Sequence, residues 1–190
     1  MQEIYLIRHT TPKVEKGICY GQLDLDITDS YEDELKQIRN TILHKQFDDV
    51  YSSPLIRCRK LANDLFENVY IQIDNRIMEL NFGDWEGKPW KEIERLSIDK
   101  WSNDFINQSP PNGEKFSELI SRINEFFSIL KEKVHNKIAI VTHSGVIRVV
   151  LMKYLSIPPE NIFNLNLNYG CVIKLTIHDG GYHQVEFLKG

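Results

Sequence analysis

The sequence predicts an α/β fold of three layers, in which a mostly parallel central sheet has helices on both faces. Two observations favour this class. Residues 4–7 and 137–142 are short and continuously apolar, as expected of strands that are covered on both faces. Segments with helical periodicity alternate with these strands and with a third one at residues 49–51. This alternation is typical of parallel sheets.

The size and charge of the chain limit the number of domains and the kinds of partner that we expect. A length of 190 residues favours one domain, which we expect to span residues 1–190 with residues 84–113 as a small helical cap. The net charge of -4 excludes a broad attraction to nucleic acid or to an anionic membrane. Anion binding, if it occurs, must therefore be local.

The cysteines and the N-terminal sequence indicate a compartment. Cys19, Cys58 and Cys171 are scattered and lack the spacing of a metal site, which is typical of reduced thiols in a reducing compartment. The sequence begins with a strand pattern and has no secretory leader pattern, and no apolar run approaches about 20 residues. We therefore expect a cytoplasmic protein without a membrane span.

The first predicted strand ends directly in Arg8 and His9. Ligands of open α/β sheets bind beyond the carboxyl ends of the strands. A basic residue beside an imidazole at this point indicates an anion that is held against a nucleophile or a base. Because such a pair is more commonly structural, the interpretation depends on other residues that converge on it.

A loop over residues 9–29 follows, and its length favours a functional role. Within it, Tyr20 and Gln22 are candidate substrate contacts, and the alternative is a surface loop that is anchored by its tyrosine. Ser30 is predicted to cap the next helix, whose apolar stripe begins at Leu35.

The second strand is predicted at residues 49–51. Ser53 as N-cap with Pro54 at the first helical position then gives a strong start signal for a helix. Arg57 falls in the first turn of that helix, where free N–H groups favour an anion and a guanidinium matches phosphate oxygens. We therefore assign Arg57 to a phosphate site and interpret Arg59 as a solvated side chain.

A third strand is predicted at residues 69–73, and an irregular segment that contains Glu79 follows it. The apolar neighbours Met78 and Leu80 predict partial burial, which favours the protonated carboxyl that a general acid needs. Residues 88–108 are predicted to form two short helices that pack over the open end of the sheet. We interpret their apolar stripe as core and not as a ligand platform: Trp90, Ile93, Leu96, Trp101 and Phe105.

The clearest helix is predicted at residues 114–134, and the buried strand at 137–142 follows it. This strand ends in His143-Ser144-Gly145, where another helix begins. Because the arrangement repeats that of the first strand, we expect His143 to face the same crevice as His9. A β-hairpin within residues 171–187 completes one edge of the sheet.

The predicted convergence of these groups indicates phosphoryl transfer, which depends on positioning and on stabilising the charge of the phosphoryl oxygens. Arg8 and Arg57 supply positive charge without a metal ion. Neutral His9 is expected to attack, with Glu79 protonating the leaving oxygen and then activating water. A metal site is the rival explanation for two histidines, but metal-binding spacings are absent from the sequence and the arginines would repel a dication.

Four motifs follow one another along the chain: Arg8-His9-Thr10, Ser52-Ser53-Pro54-Leu55-x-Arg57-x-Arg59, Glu79-x-x-Phe82-Gly83-x-Trp85-Glu86-Gly87 and Thr142-His143-Ser144-Gly145. Together they resemble the motifs of the histidine phosphatase superfamily, which has the phosphoglycerate mutase-like fold. The resemblance covers nearly the whole chain and implies a phosphohistidine on His9, with no cofactor and no metal. It also implies a phosphate pocket of Arg8, Arg57 and His143, with Glu79 as proton donor.

One position departs from the resemblance, because the family usually has glycine after the first histidine and this chain has Thr10. The departure concerns the local backbone geometry and not the chemistry. We also expect Thr10, Tyr20, Gln22 and Ser144 to contact the substrate.

The loop motif Gly17-x-Cys19-Tyr20-Gly21-Gln22-x-Asp24 resembles the α-ribazole 5′-phosphate phosphatase branch, which acts in cobalamin (nucleotide loop) synthesis. The alternatives are a broad-specificity sugar-phosphate phosphatase, a phosphoglycerate mutase, and a phospholigand-binding module without activity. Because a short chain leaves the pocket open to water, hydrolysis is favoured over transfer back to a substrate. The expected partner is a small phosphorylated metabolite, and we expect no binding to nucleic acid or to a membrane. The assembly that we consider is a homodimer.

Overall fold

The computed structural model describes residues 1–132 and 137–190. Within these residues, six strands form one sheet: β1 (Gln2–Arg8), β2 (Asp49–Ser52), β3 (Ile71–Ile73), β4 (Lys137–Thr142), β5 (Val172–Ile177) and β6 (His183–Lys189). Their order across the sheet is β3-β2-β4-β1-β5-β6. The first four run parallel, whereas β5 is antiparallel to β1 and β6 is antiparallel to β5. The predicted α/β class with a mostly parallel sheet is confirmed.

Five α-helices are described: α1 (Tyr31–Thr41), α2 (Ile56–Leu65), α3 (Arg95–Asn103), α4 (Phe116–Lys131) and α5 (Ser144–Tyr154). Short 3-10 helices lie at Asn75–Ile77, Gly83–Trp85, Trp90–Glu92 and Pro159–Asn164. The helix predicted at 114–134 is α4, and the last two residues of that prediction lie outside the described residues. None of the described helices is both long and apolar enough to cross a bilayer.

The alternation of side chains along β1 divides the core into two layers. Ile4 and Leu6 point to one face of the sheet and pack in a cluster with residues of α4 and α5. Tyr5 and Ile7 point to the other face and pack with residues of α1 and α2. Both faces of β1 are therefore covered, which explains why its sequence is continuously apolar.

The register of the two central strands positions the site. β1 and β4 are parallel neighbours, and Arg8 is paired with Thr142. The next residue of each strand, His9 and His143, therefore emerges at the same edge of the sheet. The backbone N–H of His9 donates to the carbonyl of Thr142 at 3.0 Å, which holds the two ends together.

Two predicted helix starts differ from the structure in detail. Ser30 is the N-cap residue of α1, as predicted, but its side chain makes no capping hydrogen bond; its hydroxyl donates to Glu34 Oε1 at 2.7 Å. The second helix begins at Ile56, with Leu55 as its N-cap, and not at Pro54. The Ser53 hydroxyl accepts from the backbone N–H of Leu55 at 3.4 Å, before the helix begins, and also contacts a histidine of the site described below.

The segment between β3 and α4 is built around aromatic side chains. The two helices predicted there are the 3-10 helix at Trp90–Glu92 and α3. Cys19, Trp85 and Ile93 form a small buried cluster, against which further aromatic residues pack. Leu96 is 75% exposed, so its assignment to the apolar stripe is wrong.

Candidate active site

His9 is buried, and its hydrogen bonds define its tautomer. Nδ1 lies 2.7 Å from the carbonyl oxygen of Thr10. Because a carbonyl oxygen only accepts, Nδ1 carries the proton and Nε2 carries the lone pair. The Arg57 Nε–H donates to this Nε2 at 3.3 Å, which agrees with the same assignment.

The surroundings of His9 keep its ring neutral. Burial lowers the pKa of His9 well below its ordinary value, and the positive charges of Arg57 and Arg8 lower it further. The hydrogen bond to Thr10 acts in the opposite direction but does not prevail. A neutral imidazole with its lone pair on Nε2 is the form that can attack phosphorus.

His143 lies beside His9, with 5.1 Å between the ring centroids, as the sequence predicts. Its Nδ1 lies 3.3 Å from Arg57 Nη2, which can only donate, so Nδ1 accepts. Its Nε2 therefore carries the proton and donates to the Ser53 hydroxyl at 2.7 Å. Burial lowers the pKa of His143 well below its ordinary value, and Arg57 lowers it further.

Arg57 is fully buried between the two histidines. Its Nη2 donates to the Gly21 carbonyl at 2.6 Å and its Nη1 donates to the Leu23 carbonyl at 2.9 Å. No carboxylate in the described part of the chain forms an ion pair with it. A buried guanidinium without a counter-ion is unfavourable, and a bound anion would compensate it.

The start of α2 does not provide the free helix N-terminus that the sequence predicts. The Asp24 Oδ1 accepts a hydrogen bond from the backbone N–H of Ile56 at 2.7 Å. A carboxylate of the chain thus occupies the position that was assigned to a ligand anion. Positive charge at this point comes from the Arg57 side chain itself.

Arg8 is held by an aromatic ring that the sequence analysis does not identify. Its guanidinium carbon lies 4.0 Å from the centroid of the Tyr169 ring, and its Nη1 donates to the Leu167 carbonyl. The hydroxyl of Tyr169 is hydrogen-bonded to that of Tyr20, so the two rings meet beside the nucleophile. Tyr169 precedes β5 in a short turn, where no sequence pattern distinguishes it from a surface tyrosine.

Glu79 is half-buried, and its carboxyl group lies against the first residues of α5. Its Oε1 accepts from the Gly145 N–H at 3.0 Å, and its Oε2 accepts from the Ser144 hydroxyl at 3.2 Å. These two donors fix the position of the carboxyl group. The sequence predicts partial burial of Glu79 by Met78 and Leu80. The structure shows a half-buried carboxyl group that is also hydrogen-bonded to the first residues of α5.

The backbone of Glu79 is fixed by two further side chains. Arg122 Nη2 donates to the Glu79 carbonyl at 2.9 Å, and Arg122 is itself paired with Glu114 at 2.6 Å. Gln22 Nε2 donates to the same carbonyl at 3.0 Å. Arg122 lies on α4, where a charged residue between buried positions gives no sequence signal of this role.

These groups border a cavity of about 240 Å³. Its polar side is formed by five side chains: Arg8, His9, Glu79, Ser144 and Arg148. Its other side is mainly aromatic: Tyr20, Phe82, Trp90, Trp101, Phe105, Phe116 and Phe163. Aromatic residues that the sequence assigns to the core therefore also form a wall of the cavity.

The predicted site residues fall into three groups. Arg8, His9, Tyr20, Glu79 and Ser144 line the cavity. Arg57 and His143 are fully buried next to His9 and are in hydrogen-bond contact with one another. Gln22 and Thr10 do not line it.

Thr10 contributes its backbone to the site. Its carbonyl orients His9, while its hydroxyl is buried without a partner among the described residues. Its φ angle is not positive, so the threonine occupies this position without the backbone freedom of glycine. Arg148 is a further cavity residue that the sequence analysis does not identify.

Within the described residues, no group of three or more histidine, cysteine, aspartate or glutamate side chains is placed to hold a metal ion. All three cysteines are buried and free.

Comparison with known proteins agrees with this geometry. A sequence model of the histidine phosphatase superfamily (branch 1) matches residues 4–188. The chain is 28% identical over 181 residues to a protein of Hydrogenobacter thermophilus named "Putative phosphoserine phosphatase 2", covering 92% of this chain and 89% of the relative. It is 27% identical over 184 residues to the adenosylcobalamin/alpha-ribazole phosphatase of Salmonella typhimurium, covering 93% and 91%.

Solved structures share the fold at lower identity. The alpha-ribazole phosphatase of Shigella flexneri superposes with a TM-score of 0.90 at 23% identity, covering 100% of this chain and 96% of that one. The phosphoserine phosphatase of Entamoeba histolytica in complex with 3-phosphoglyceric acid superposes with a TM-score of 0.83 at 19% identity, covering 100% and 98%.

Proposed function

Since the chain belongs to the histidine phosphatase superfamily and is a phosphoric monoester hydrolase, we propose that it hydrolyses its substrate through a phosphohistidine on His9, without a metal ion. The observation that carries this proposal is the tautomer of His9. Its Nδ1–H is bound to the Thr10 carbonyl, so the lone pair lies on Nε2, where it accepts from the Arg57 Nε–H. A bound phosphoryl group would compete for that N–H and release the lone pair for attack. Phosphoryl transfer needs such a nucleophile together with fixed positive charge.

In the first step, the phosphoryl group binds against Arg8, Arg57 and His143. Nε2 of His9 attacks phosphorus, and the bond from phosphorus to the alcohol oxygen breaks. Protonated Glu79 gives its proton to that oxygen, so the alcohol leaves neutral. The two guanidinium groups stabilise the charge on the phosphoryl oxygens, as a dication does in other phosphoryl-transfer enzymes.

In the second step, the Glu79 carboxylate takes a proton from a water molecule while the water oxygen attacks phosphorus. The N–P bond breaks, which returns neutral His9 and releases inorganic phosphate. Glu79 is again protonated and ready for the next turnover. The Ser144 hydroxyl and the Gly145 N–H, which both donate to this carboxylate, hold it in place and stabilise its charged form between the steps.

We propose α-ribazole 5′-phosphate as the physiological substrate, which would place the enzyme in the assembly of the cobalamin nucleotide loop. The Salmonella relative supports this choice. The aromatic wall of the cavity also supports it, because α-ribazole has a flat benzimidazole ring that stacks well on aromatic side chains. The three buried free cysteines support a cytoplasmic location.

A phosphorylated amino or hydroxy acid is the second candidate. It is favoured by the relative named for phosphoserine and by a cavity arginine without a carboxylate partner, Arg148. A phosphoglycerate mutase or a broad sugar-phosphate phosphatase remains an alternative. A mutase needs a bisphosphorylated primer, so its activity on 3-phosphoglycerate would depend on adding one. A binding module without activity is disfavoured because both nucleophile and proton donor are present.

The test is a search for the phosphoenzyme. The protein is mixed briefly with phosphoryl-labelled α-ribazole 5′-phosphate, phosphoserine, 3-phosphoglycerate or phenyl phosphate, with chelator present, and then denatured in alkali. We expect label on the wild type that survives base and is lost in acid, and none on His9→Asn. His44→Asn is the matched control, because His44 is exposed and does not line the cavity.

Label that resists acid would contradict the proposal, and so would equal labelling of His9→Asn and wild type. Loss of turnover in chelator that is restored by a divalent metal would overturn the metal-independent mechanism. The substrate with the highest kcat/KM decides between the two candidate classes.

A further inference from the structure

Arg148 borders the cavity but lies outside the group of residues that contacts His9. It is on α5, four residues after Ser144, so both side chains project from the same side of the helix. Four residues correspond to a rise of about 6 Å along the helix axis. Arg148 is therefore displaced by one turn from the hydroxyl that binds Glu79.

The guanidinium of Arg148 is incompletely partnered. Its one described hydrogen bond runs from Nη2 to the Leu165 carbonyl at 3.2 Å. Its Nε is buried without a partner among the described residues, and its carbon lies 5.5 Å from the centroid of the Phe163 ring. Burial lowers the pKa of Arg148 and the charge of Arg8 lowers it further, whereas Glu79 and Cys171 act in the opposite direction.

Two other half-buried arginines of this protein are paired with carboxylates, whereas Arg8 of the proposed phosphate site has no such pair among the described residues. Arg76 contacts Asp74 at 2.6 Å, and Arg122 contacts Glu114 at 2.6 Å. Arg148 has no such ion pair within the described residues, although it too is half-buried. Its charge and its remaining N–H groups are thus left facing a cavity that is otherwise largely apolar.

The position relative to Glu79 indicates which part of a substrate Arg148 would meet. In the proposed mechanism, Glu79 protonates the oxygen that leaves phosphorus, so it lies between the phosphoryl group and the alcohol. Ser144 holds Glu79, and Arg148 lies one turn further along α5, away from the helix start. A group that reaches Arg148 therefore belongs to the leaving alcohol and not to the phosphate.

We propose that Arg148 is a specificity residue that binds an oxygen acceptor on the leaving alcohol, beside Phe163 of the aromatic wall of the cavity. This inference rests on the proposed function, because it places Glu79 at the leaving oxygen. The acceptor can be a ribose hydroxyl, as in a nucleoside-like ester, or a carboxylate, as in a phosphorylated amino or hydroxy acid. A charged N–H donor binds both kinds of oxygen.

The experiment compares Arg148→Met with Arg59→Met, in which an exposed arginine outside the cavity is changed to the same residue. kcat/KM is measured on α-ribazole 5′-phosphate, phosphoserine, 3-phosphoglycerate and phenyl phosphate, whose alcohol has no second oxygen. For the oxygen-bearing ester that the wild type prefers, we expect Arg148→Met to reduce kcat/KM about 10- to 100-fold more than for phenyl phosphate. Arg59→Met is expected to leave the ratio of kcat/KM on that ester to kcat/KM on phenyl phosphate unchanged.

A selective loss on the ribazole ester assigns the acceptor to a hydroxyl, and a selective loss on the two acids assigns it to a carboxylate. An equal loss on all four esters would overturn the proposal, since Arg148 would then act on the phosphate or on folding, and so would an unchanged ratio.

Failure of the proposed function looks different: the wild type would form no phosphoenzyme and hydrolyse none of the esters. Arg148→Lys should keep a stronger preference for the oxygen-bearing ester over phenyl phosphate than Arg148→Met does, because lysine keeps the positive charge.

Discussion

The carboxylate of Glu79 packs directly against the α-carbon of Gly145. A β-carbon at position 145 would lie 2.1 Å from Glu79 Oε1, far inside contact distance. The φ angle of Gly145 is not positive, so the close approach, and not the backbone conformation, requires glycine here. The turn after β4 and the irregular segment after β3 thus form one unit around the proposed proton donor.

We predict that Gly145→Ala displaces the Glu79 carboxylate and lowers kcat by about 100-fold, as loss of a general acid does. The loss should be large for esters of weakly acidic alcohols and small for esters of acidic phenols, because the latter leave without a proton. Measuring kcat over a series of leaving groups tests this. Glu79→Gln should give the same dependence.

The double variant Glu79→Gln with Gly145→Ala is the control for this prediction. If Gly145 acts only through Glu79, the second change adds little to the first, so the two effects are not additive. Additive losses would mean that the alanine damages the site in some other way.

The two buried histidines predict a stability that falls in mild acid. Each ring has a pKa well below the ordinary value of 6.5, so the folded chain binds fewer protons than the unfolded chain as the pH falls below 6.5. The stabilisation is complete above that pH and is lost toward the folded-state pKa values. Each ring contributes a slope of up to about 1.4 kcal/mol per pH unit.

Urea unfolding between about pH 7 and pH 5 measures this slope. We expect His143→Asn to have a shallower slope than the wild type, whatever its stability at neutral pH. His44→Asn, which changes an exposed ring, should keep the wild-type slope. An unchanged slope in His143→Asn would show that this ring does not carry the effect.

The buried guanidinium of Arg57 predicts stabilisation by inorganic phosphate. An anion that binds the folded state alone raises the free energy of unfolding by about 1.4 kcal/mol at ten times its Kd. Arg57→Met should abolish most of this gain, and Arg59→Met should not. Thermal unfolding with and without phosphate makes the comparison.

Arg57→Met should also be less stable without phosphate, because the Gly21 and Leu23 carbonyls lose their donors. The expected loss is about 2 kcal/mol. A variant that is equally stabilised by phosphate would contradict the assignment of Arg57 to the phosphate site.

Tyr169 is predicted to act through its ring. Its ring lies 4.0 Å from the guanidinium carbon of Arg8, whereas its hydroxyl contacts only that of Tyr20. Tyr169→Leu should therefore reduce kcat/KM about 10-fold, the magnitude of a partly buried cation–π contact. Tyr169→Phe should stay within about threefold of the wild type. Equal losses in both variants would show that the hydroxyl pair matters more.

The helix starts show where local patterns mislead. Ser53 and Pro54 have the residue types of an N-cap and a first helical position, yet the helix begins at Ile56. The Ser53 hydroxyl accepts locally only from the Leu55 N–H, before the helix begins. His143 also donates to that hydroxyl, and Asp24 from the distant loop occupies the helix start. Both partners come from other parts of the chain, so no local rule could have found them.

The sequence by itself determined the buried strands and the two histidines that follow them. The reason is that the local pattern of apolar residues shows both where a strand is buried and where it ends. It could not determine the roles of Tyr169, Arg122 and Arg148, whose surroundings are ordinary along the chain. Only the tertiary structure decided that Tyr169 lies against Arg8, that Arg122 holds the backbone of Glu79 and that Arg148 lines the cavity. The physical reason is that hydrogen bonds, close approaches and unpaired charge depend on distances in space, which a linear pattern does not contain.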